Sequence, residues 1–367
     1  MNLQTLIGGM FESGATNFIN RSGSRRLVSL LILFVSLGEL RAQPFDKDYT
    51  ETINGTRLHF RVRGENPANP YLLILHGGPG FSAHMFYPWG KSIERDVNVV
   101  YLDQRGCGQS ARLKLANPMQ PTEAEVKDYT MENLLKDIEG VREFLKVKDW
   151  YVLGHSWGGM LGINYISTYP ASVKGFIFVD GLVSQPQTQV AILDFSEKQI
   201  AKDESSPDPK LQERAARLKP YLPYARSLPA GPARLFSTMQ FAMGQFNEIY
   251  YADGKVGAAY QGKMRDALSA YHVPLTAITP ANEPAAALIK TANYATRDDS
   301  SRLPQIKCRT LVVNGKQDGL ITPTAAQSVQ NGVADSEMLL LDQCGHFPFA
   351  EQPDAFSEAV VKFVDAK

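Results

Sequence analysis

Residues 154–158 have the sequence G-x-S-x-G, which places strong geometric requirements on the backbone around it. An apolar run at 150–153 precedes it and a helical pattern follows it at once, which predicts a strand, a sharp turn and a helix. Glycines on both sides of the serine let the strand and the helix approach each other without a side-chain clash. Such a turn exposes the hydroxyl of Ser156 above the strand, so Ser156 is the candidate nucleophile.

The sequence around this turn alternates short apolar runs with helical patterns. Runs of this kind are typical of parallel strands buried on both faces, and they occur at 71–75, 99–102, 150–153, 176–179, 310–313 and 338–341. Ahead of them, alternating apolar and polar residues on either side of Asn54-Gly55 predict a hairpin. The sequence therefore predicts an α/β protein with a mostly parallel sheet flanked by helices.

The alternation stops after residue 182 and resumes after residue 305. The segment between contains several prolines and long amphipathic helical patterns but no strand-like run. We interpret 183–305 as a mainly helical insertion, called the cap below. The core is then built from residues 43–182 and 306–367.

The first 42 residues have the organisation of a secretory signal peptide. Three arginines precede the apolar stretch 27–37, and a short polar segment ends at Ala42. The apolar stretch is short for a membrane span, so we expect cleavage and an exported protein, periplasmic or secreted, with no stable membrane span. An uncleaved N-terminal anchor is the alternative.

Composition narrows the classes of partner and of chemistry. Lysine and arginine number 38, as do aspartate and glutamate, so the chain has no excess positive charge for nucleic acid. The cysteines show no zinc-binding spacing, and no metal is predicted. Their odd number leaves at least one thiol free, and a disulfide between Cys107 and Cys344 stays open. The oligomeric state stays open too.

A serine nucleophile needs a histidine base and an acid that orients it. His346 lies in the loop after the predicted strand 338–341, immediately before the last helix. Asp318 lies in the loop after 310–313, which gives the chain order serine, acid, histidine. Asp180, at the tip of the predicted strand 176–179, is the alternative acid.

Backbone amides for an oxyanion hole are predicted at two places. The segment His76-Gly77-Gly78-Pro79-Gly80 directly follows a strand, and its glycines let the backbone of Gly78 or Gly77 approach a substrate. The amide of Trp157, the residue after the nucleophile, is the expected second donor. In the segment 103–110, Asp103 and Arg105 are expected to support this loop through buried hydrogen bonds.

Five short segments together resemble an α/β-hydrolase of the prolyl iminopeptidase group. They occur in the order HGGPG, DQRGCGQS, GHSWGG, GKQD and CGHF, beginning at residues 76, 103, 154, 315 and 344. The resemblance implies the α/β-hydrolase fold with an inserted helical cap. It also implies release of N-terminal proline from peptides, and binding of the substrate amine by glutamates of the cap. Glu248 is the candidate for this, and the alternatives are Glu204, Glu213 and Glu283.

The sequence therefore predicts a serine hydrolase that needs no cofactor and acts on a small molecule or a short peptide. An exported aminopeptidase with a preference for proline is the first hypothesis. A carboxylesterase or lactonase that uses the same residues is the alternative within the enzymes. A binding module on a catalytically inactive hydrolase fold is the alternative outside them, and it would have no need of the serine, acid, histidine and amide segments together.

Overall fold

The computed structural model describes residues 44–366. A mixed sheet of eight strands forms the centre of this part of the chain. Its strands are β1 (Phe45–Ile53), β2 (Thr56–Gly64), β3 (Tyr71–Leu75), β4 (Asn98–Asp103), β5 (Trp150–His155), β6 (Val173–Val179), β7 (Arg309–Gly315) and β8 (Ser336–Leu341). Their order across the sheet is β1-β2-β4-β3-β5-β6-β7-β8. The hairpin β1–β2 pairs antiparallel to β4, and β3 to β8 run parallel. The predicted mostly parallel sheet is confirmed.

Helices lie between and after the strands of this sheet. The α-helices of residues 44–366 are α1 (Lys91–Glu94), α2 (Glu123–Val126), α3 (Met131–Phe144), α4 (Trp157–Thr168), α5 (Gln185–Glu204), α6 (Pro209–Leu218), α7 (Tyr221–Ser227), α8 (Pro232–Gly244), α9 (Gly254–Ala270), α10 (Leu275–Ile278), α11 (Glu283–Thr291), α12 (Pro323–Gly332), α13 (Pro348–Glu351) and α14 (Pro353–Asp365). Short 3₁₀ helices lie at Ala83–Trp89, Pro170–Ser172, Asn247–Ile249, Tyr294–Thr296 and Ser300–Gln305.

Helices α5 to α11 all lie between β6 and β7, in the segment where the sequence predicts the cap. The two ends of this segment meet, because Ser184 and Asp298 form an isolated β-bridge and a side-chain hydrogen bond of 2.9 Å. Buried side chains from these helices, among them Ile192, Leu218 and Phe241, form a separate apolar cluster. The insertion thus leaves and rejoins the core at one point and has a small core of its own.

The hairpin at the edge of the sheet forms for the reason that its sequence suggests. Asn54 and Gly55 have φ angles of 48° and 73°, and Ile53 is paired with Thr56. Positive φ at both central residues is what a two-residue type I′ turn requires, and Asn-Gly is a favoured sequence for it.

The central strands are buried on both faces, as their continuous apolar sequences predict. In β3, Leu73 and Leu75 pack into one apolar cluster, whereas Leu72 and Ile74 pack into another. This alternation follows from the two-residue repeat of a strand, which sends successive side chains to opposite faces. The central strands are thereby held between two layers of helices.

The predicted signal peptide at 1–42 lies outside the described residues, so the structure does not test it. Within residues 44–366, no helix combines the length and the apolar character needed to cross a membrane.

Close packing at the start of α4 generates a testable prediction. A Cβ at Gly158 would lie 2.6 Å from the carbonyl carbon of Leu75 at the end of β3. Gly158→Ala should therefore lower the free energy of unfolding by about 2 kcal/mol or more, since backbone would have to move. At Gly262, in the middle of α9, the nearest atom to such a Cβ, apart from the adjoining backbone, is a guanidinium nitrogen of Arg265, 4.0 Å away. Gly262→Ala should raise stability by up to about 1 kcal/mol through helix propensity.

Urea unfolding of the two variants and the wild type measures the difference directly. Equal effects at the two glycines would contradict the close approach of α4 to β3.

Candidate active site

Ser156 occupies the sharp turn between β5 and α4. Its φ and ψ angles are 55° and −122°, an unfavourable conformation for a residue with a Cβ. The surrounding hydrogen bonds hold it there. The Ser156 amide donates to the carbonyl of Val179 at 3.1 Å, and the Ser156 carbonyl accepts from the amides of Gly159 and Leu182, both at 2.8 Å. The structure thus places the predicted nucleophile in the strained turn that the G-x-S-x-G sequence indicates.

His346 lies beside this turn. The ring of His155, the residue before Ser156, donates from Nε2 to the carbonyl oxygen of His346 at 2.8 Å. The two imidazole rings are 4.8 Å apart between centroids. Burial, and then the proximity of His346, keep the pKa of His155 well below its usual value. His155 is therefore a neutral support, and His346 is the histidine available as a base.

Asp318 holds the imidazole of His346 in a defined orientation. The Nδ1 of His346 donates to Asp318 Oδ2 at 2.7 Å, and both side chains are buried. The other carboxylate oxygen, Oδ1, accepts from the amides of Leu320 at 2.7 Å and Ile321 at 3.0 Å. With Nδ1 engaged in this way, Nε2 is the nitrogen left to exchange a proton.

The alternative acid, Asp180, is brought to the same place. It directly follows β6, it is fully buried, and Oδ1 accepts from the amide of Gly315 at 3.0 Å. One polar atom each of Asp180, Asp318 and His346 lie within 4.8 Å of one another. His346 is hydrogen-bonded to Asp318, and Asp180 lies close to both residues without bonding to His346.

The glycine-rich loop after β3 lies against the turn of Ser156. A Cβ at Gly77 would be 3.1 Å from the Cβ of Ser156, and Gly78 has a φ of 123°, where other residues are strained. Trp157 is the first residue of α4, so its amide has no acceptor within the helix. Two of the residues predicted for the oxyanion hole, Gly77 and Trp157, therefore border the nucleophile, and Gly78 follows Gly77 in the same loop.

Gln104 is a residue of the site that the sequence reasoning missed. Its Nε2 donates to the carbonyl of His76 at 2.9 Å, and its Oε1 accepts from the indole of Trp157 at 2.9 Å. It thereby ties the glycine-rich loop to the start of α4. The signal was present, since Gln104 belongs to the DQRGCGQS segment, but only its neighbours Asp103 and Arg105 were interpreted.

Asp103 and Arg105 both make buried hydrogen bonds, but those of Arg105 go to α3 and to the β1–β2 hairpin and not to the glycine-rich loop that it was expected to support. Asp103 accepts from the amide of Ala83 at 3.0 Å and from Nδ1 of His59 at 2.9 Å. Burial alone would raise the pKa of Asp103, but the nearby His84 and His59 outweigh it and lower that pKa to about 2. Arg105 is paired through two nitrogens with a buried aspartate, Asp137, at 2.7 and 2.6 Å.

Two groups of buried side chains have the residue types that bind metals. They are His59 with His84 and Asp103, and Asp180 with Asp318 and His346. In the first, both ring nitrogens of His59 are already hydrogen-bonded, Nδ1 to Asp103 and Nε2 to Asp48, each at 2.9 Å. In the second, the Nδ1 of His346 is already bonded to Asp318. We assign neither group a metal.

Glu248, the predicted ligand for a substrate amine, lies in the 3₁₀ helix Asn247–Ile249. This segment contacts the loop of His346, because the carbonyl of Tyr250, the residue after the 3₁₀ helix, accepts from the amide of His346 at 2.7 Å. The Glu248 carboxylate is ion-paired with Arg214 at 3.0 Å, and its side chain is 42% exposed. Arg214 also pairs with Asp203 at 2.6 Å.

All three cysteines are free. Cys107 and Cys344 are both buried, and the sulfur of Cys344 is 3.6 Å from the carbonyl oxygen of Gly345. The disulfide that the sequence leaves open is therefore not formed, and the buried thiols act as small apolar groups in their loops.

Known proteins are similar to this chain in sequence over most of its length. The family profile described as the alpha/beta hydrolase fold matches residues 70–353. A proline iminopeptidase of Lactobacillus helveticus is 27% identical over 327 residues, which cover 85% of this chain and 95% of that protein. One from Saccharolobus solfataricus is 26% identical over 322 residues, covering 85% and 90% of the two chains.

Solved structures show the same fold. A proline iminopeptidase-related protein from Thermus thermophilus has a TM-score of 0.65 and 20% identity, covering 87% of this chain and 96% of its own. An esterase from Exiguobacterium antarcticum has a TM-score of 0.56 and 17% identity, covering 86% and 98%. The predicted fold and the predicted resemblance are both confirmed. The chain therefore belongs to the α/β hydrolase fold family, and it is a hydrolase similar to proline iminopeptidases.

Proposed function

We propose that this protein is an exported serine aminopeptidase that releases an N-terminal residue, with proline preferred, from short peptides through an acyl-enzyme. The observation that carries the proposal is the 2.7 Å hydrogen bond between His346 and Asp318 beside the strained turn of Ser156. The names of the relatives from Lactobacillus helveticus and Saccharolobus solfataricus support the choice of proline.

In the first half of the proposed reaction, Oγ of Ser156 attacks the carbonyl carbon of the N-terminal residue. Nε2 of His346 accepts the hydroxyl proton, and Asp318 stabilises the imidazolium that forms. The negative oxygen of the tetrahedral intermediate is held by the amide of Trp157 and that of Gly78 or Gly77. One such donor is worth about 3 kcal/mol of transition-state stabilisation.

The intermediate then expels the amine of the remaining peptide. His346 returns its proton to that leaving nitrogen, and the N-terminal residue stays esterified to Ser156. Water enters, loses a proton to Nε2 of His346 and attacks the ester carbon. Collapse frees the amino acid and restores the hydroxyl of Ser156, so the cycle uses only side chains and backbone amides of this chain.

A comparison of substrates tests this proposal. The mature chain should cleave a fluorogenic prolyl amide rapidly and its N-acetylated form poorly, because the proposed enzyme recognises a free amine. Ser156→Ala should lower kcat/KM by about 10⁴-fold or more. Ser167→Ala is the matched control, since Ser167 lies on the same helix and its hydroxyl bonds only the carbonyl of Ile163 at 2.7 Å.

Equal turnover of the free and acetylated amides would exclude an aminopeptidase. Undiminished activity in Ser156→Ala would overturn the mechanism, whatever the substrate.

We propose Glu248 as the group that attracts the substrate amine. Arg214 lies between two carboxylates, Asp203 and Glu248, so the three formal charges sum to −1. Glu248 is the more exposed of the two acids, with 42% of its side chain accessible against 1% for Asp203. A cationic amine can therefore approach Glu248 and share it with Arg214.

The variant Glu248→Gln tests this role. It should raise KM for the free prolyl amide by roughly tenfold, through loss of a charged hydrogen bond, and leave an ester without an amine unaffected. Glu204→Gln is the matched control, because Glu204 forms a one-to-one pair with Lys219 at 2.6 Å. A larger effect in Glu283→Gln would move the amine site to the start of α11, where the amide of Ala281 bonds the carbonyl of Gly80 at 2.9 Å.

A carboxylesterase or lactonase is the second candidate function. It is favoured by the ion pair between Glu248 and Arg214, which partly neutralises the proposed amine ligand. Fast cleavage of a short-chain p-nitrophenyl ester without cleavage of prolyl amides would establish it. Absence of turnover on amides and esters alike would favour a binding module on an inactive hydrolase fold.

Export is the remaining part of the proposal, and it predicts a processed N-terminus. Residues 1–42 have the organisation of a signal peptide. In bacterial cells that make the full chain, the mature protein should therefore begin at Gln43 and lie outside the cytoplasm. Intact-mass measurement of fractionated cells checks this. Leu31→Arg should block processing by placing a charge in the apolar stretch. An unprocessed chain in the membrane fraction would indicate the N-terminal anchor instead.

A further inference from the structure

Asp180 has a buried carboxyl group that takes no part in the proposed reaction. It is fully buried, it has a φ of 38°, and its amide donates to the carbonyl of Val313 at 2.9 Å. One carboxyl oxygen, Oδ1, accepts from the amide of Gly315 at 3.0 Å. The other, Oδ2, is buried and has no hydrogen-bond partner among the residues that the structure describes. A buried polar atom of this kind requires an explanation.

The neighbouring carboxyl group of Asp318, in contrast, accepts hydrogen bonds at both of its oxygens. Asp318 receives hydrogen bonds from two backbone amides and from Nδ1 of His346, at distances of 2.7 to 3.0 Å. Two carboxylates so close together in a buried site cannot both be ionised at low cost. Because Asp318 has three donors and Asp180 has one, the negative charge belongs on Asp318 and the shared proton on Asp180.

We propose that Asp180 acts as a neutral carboxylic acid whose hydroxyl, at Oδ2, donates to the Asp318 carboxylate and thereby positions it toward His346. This inference rests on the proposed serine hydrolase function. It gives a reason for the atom that lacks a partner, since a protonated Oδ2 becomes a donor, and an oxygen of the Asp180 carboxyl lies within 4.8 Å of an oxygen of Asp318. It also keeps the acid site at a single negative charge, which is what one imidazolium can balance.

The electrostatic surroundings of Asp180 favour the neutral form. Burial raises the pKa of its carboxyl well above the usual range, and the charge of Asp318 raises it further, against the opposing effect of the Gly315 amide. Glu351 on α13 acts in the same direction as Asp318. Burial also raises the pKa of the Cys344 thiol in the loop after β8, so this thiol is neutral. His346, when protonated, is the one nearby cation in this group that would favour ionisation.

The inference is tested first by kinetics on the same substrate. Asp180→Ala removes the donor and should lower kcat by about tenfold or more. Asp180→Asn restores a donor of the same shape, because its amide can donate to Asp318 while its oxygen accepts from Gly315, so it should recover to within about threefold of wild type. Asp318→Asn should lose about 10⁴-fold, because it favours the wrong tautomer of His346.

The reverse ranking, with Asp180→Asn inactive and Asp318→Asn active, would overturn the inference and make Asp180 the catalytic acid. The proposed serine mechanism would survive that result. The pH dependence of kcat/KM adds a readout that a purely structural role would not move. Its acid limb should be unchanged in Asp180→Asn, whereas removal of an ionised carboxylate would shift that limb to lower pH.

Unfolding against pH tests the protonation without any substrate. A carboxyl that keeps its proton only in the folded state makes stability fall as pH rises from its unfolded pKa, near 4, toward its raised folded pKa. Asp180→Asn removes that loss, so its stability relative to wild type should increase with pH across this window. A difference that is constant or decreases with pH would contradict a neutral Asp180.

If Asp180→Asn does not fold, infrared spectroscopy of the wild type decides. The carbonyl band of a protonated carboxylic acid should be present at pH 8 and should persist in Glu351→Gln, which removes the other carboxyl whose pKa is raised nearby. Absence of that band would overturn the inference. Because neither measurement depends on turnover, failure of the proposed function and failure of this inference remain distinguishable.

Discussion

The conformation of one residue, Ser156, underlies the rest of the site. Its φ of 55° is unfavourable for a residue with a Cβ. The conformation persists because both the amide and the carbonyl of Ser156 are hydrogen-bonded to neighbouring backbone. The amide of Ser156 bonds the end of β6, and its carbonyl accepts the amides of Gly159 and Leu182. The turn is therefore fixed by two strands and a helix at once. Other features, including the close approach of Gly77, are arranged around this point.

Parallel strands explain why distant parts of the sequence meet here. Strands β5 to β8 run in the same direction, so their carboxyl ends lie at one end of the sheet. The loops that follow these strands carry Ser156, Asp180, Asp318 and His346. Each buried charge at this end of the sheet needs a compensating partner. Asp318 is balanced by amides and an imidazole, and Asp103 by amides and by the nearby histidines. Asp180 is the exception, and protonation resolves it without a further cation.

Local sequence patterns were sufficient to predict the strands, the hairpin, the sharp turn of Ser156 and the loops of Asp318 and His346. Each of these features depends on a short stretch of sequence with strong geometric requirements. Contacts between distant segments were less accessible. No local pattern shows that Asp180 lies behind Asp318, that Gln104 joins Trp157 to the glycine-rich loop, or that Glu248 pairs with Arg214 across 34 residues. The Cys107–Cys344 disulfide also stayed open, since only three-dimensional geometry decides whether two thiols can bond.

The most direct test of the central claim is covalent labelling of the intact protein with a fluorophosphonate, which reacts with activated serines. Mass spectrometry of the labelled peptides should place one phosphonyl group on Ser156. The rate of labelling should fall in His346→Ala, which lacks the base. Labelling at another residue, or none, would contradict the assignment of Ser156 as a nucleophile activated by His346 and Asp318.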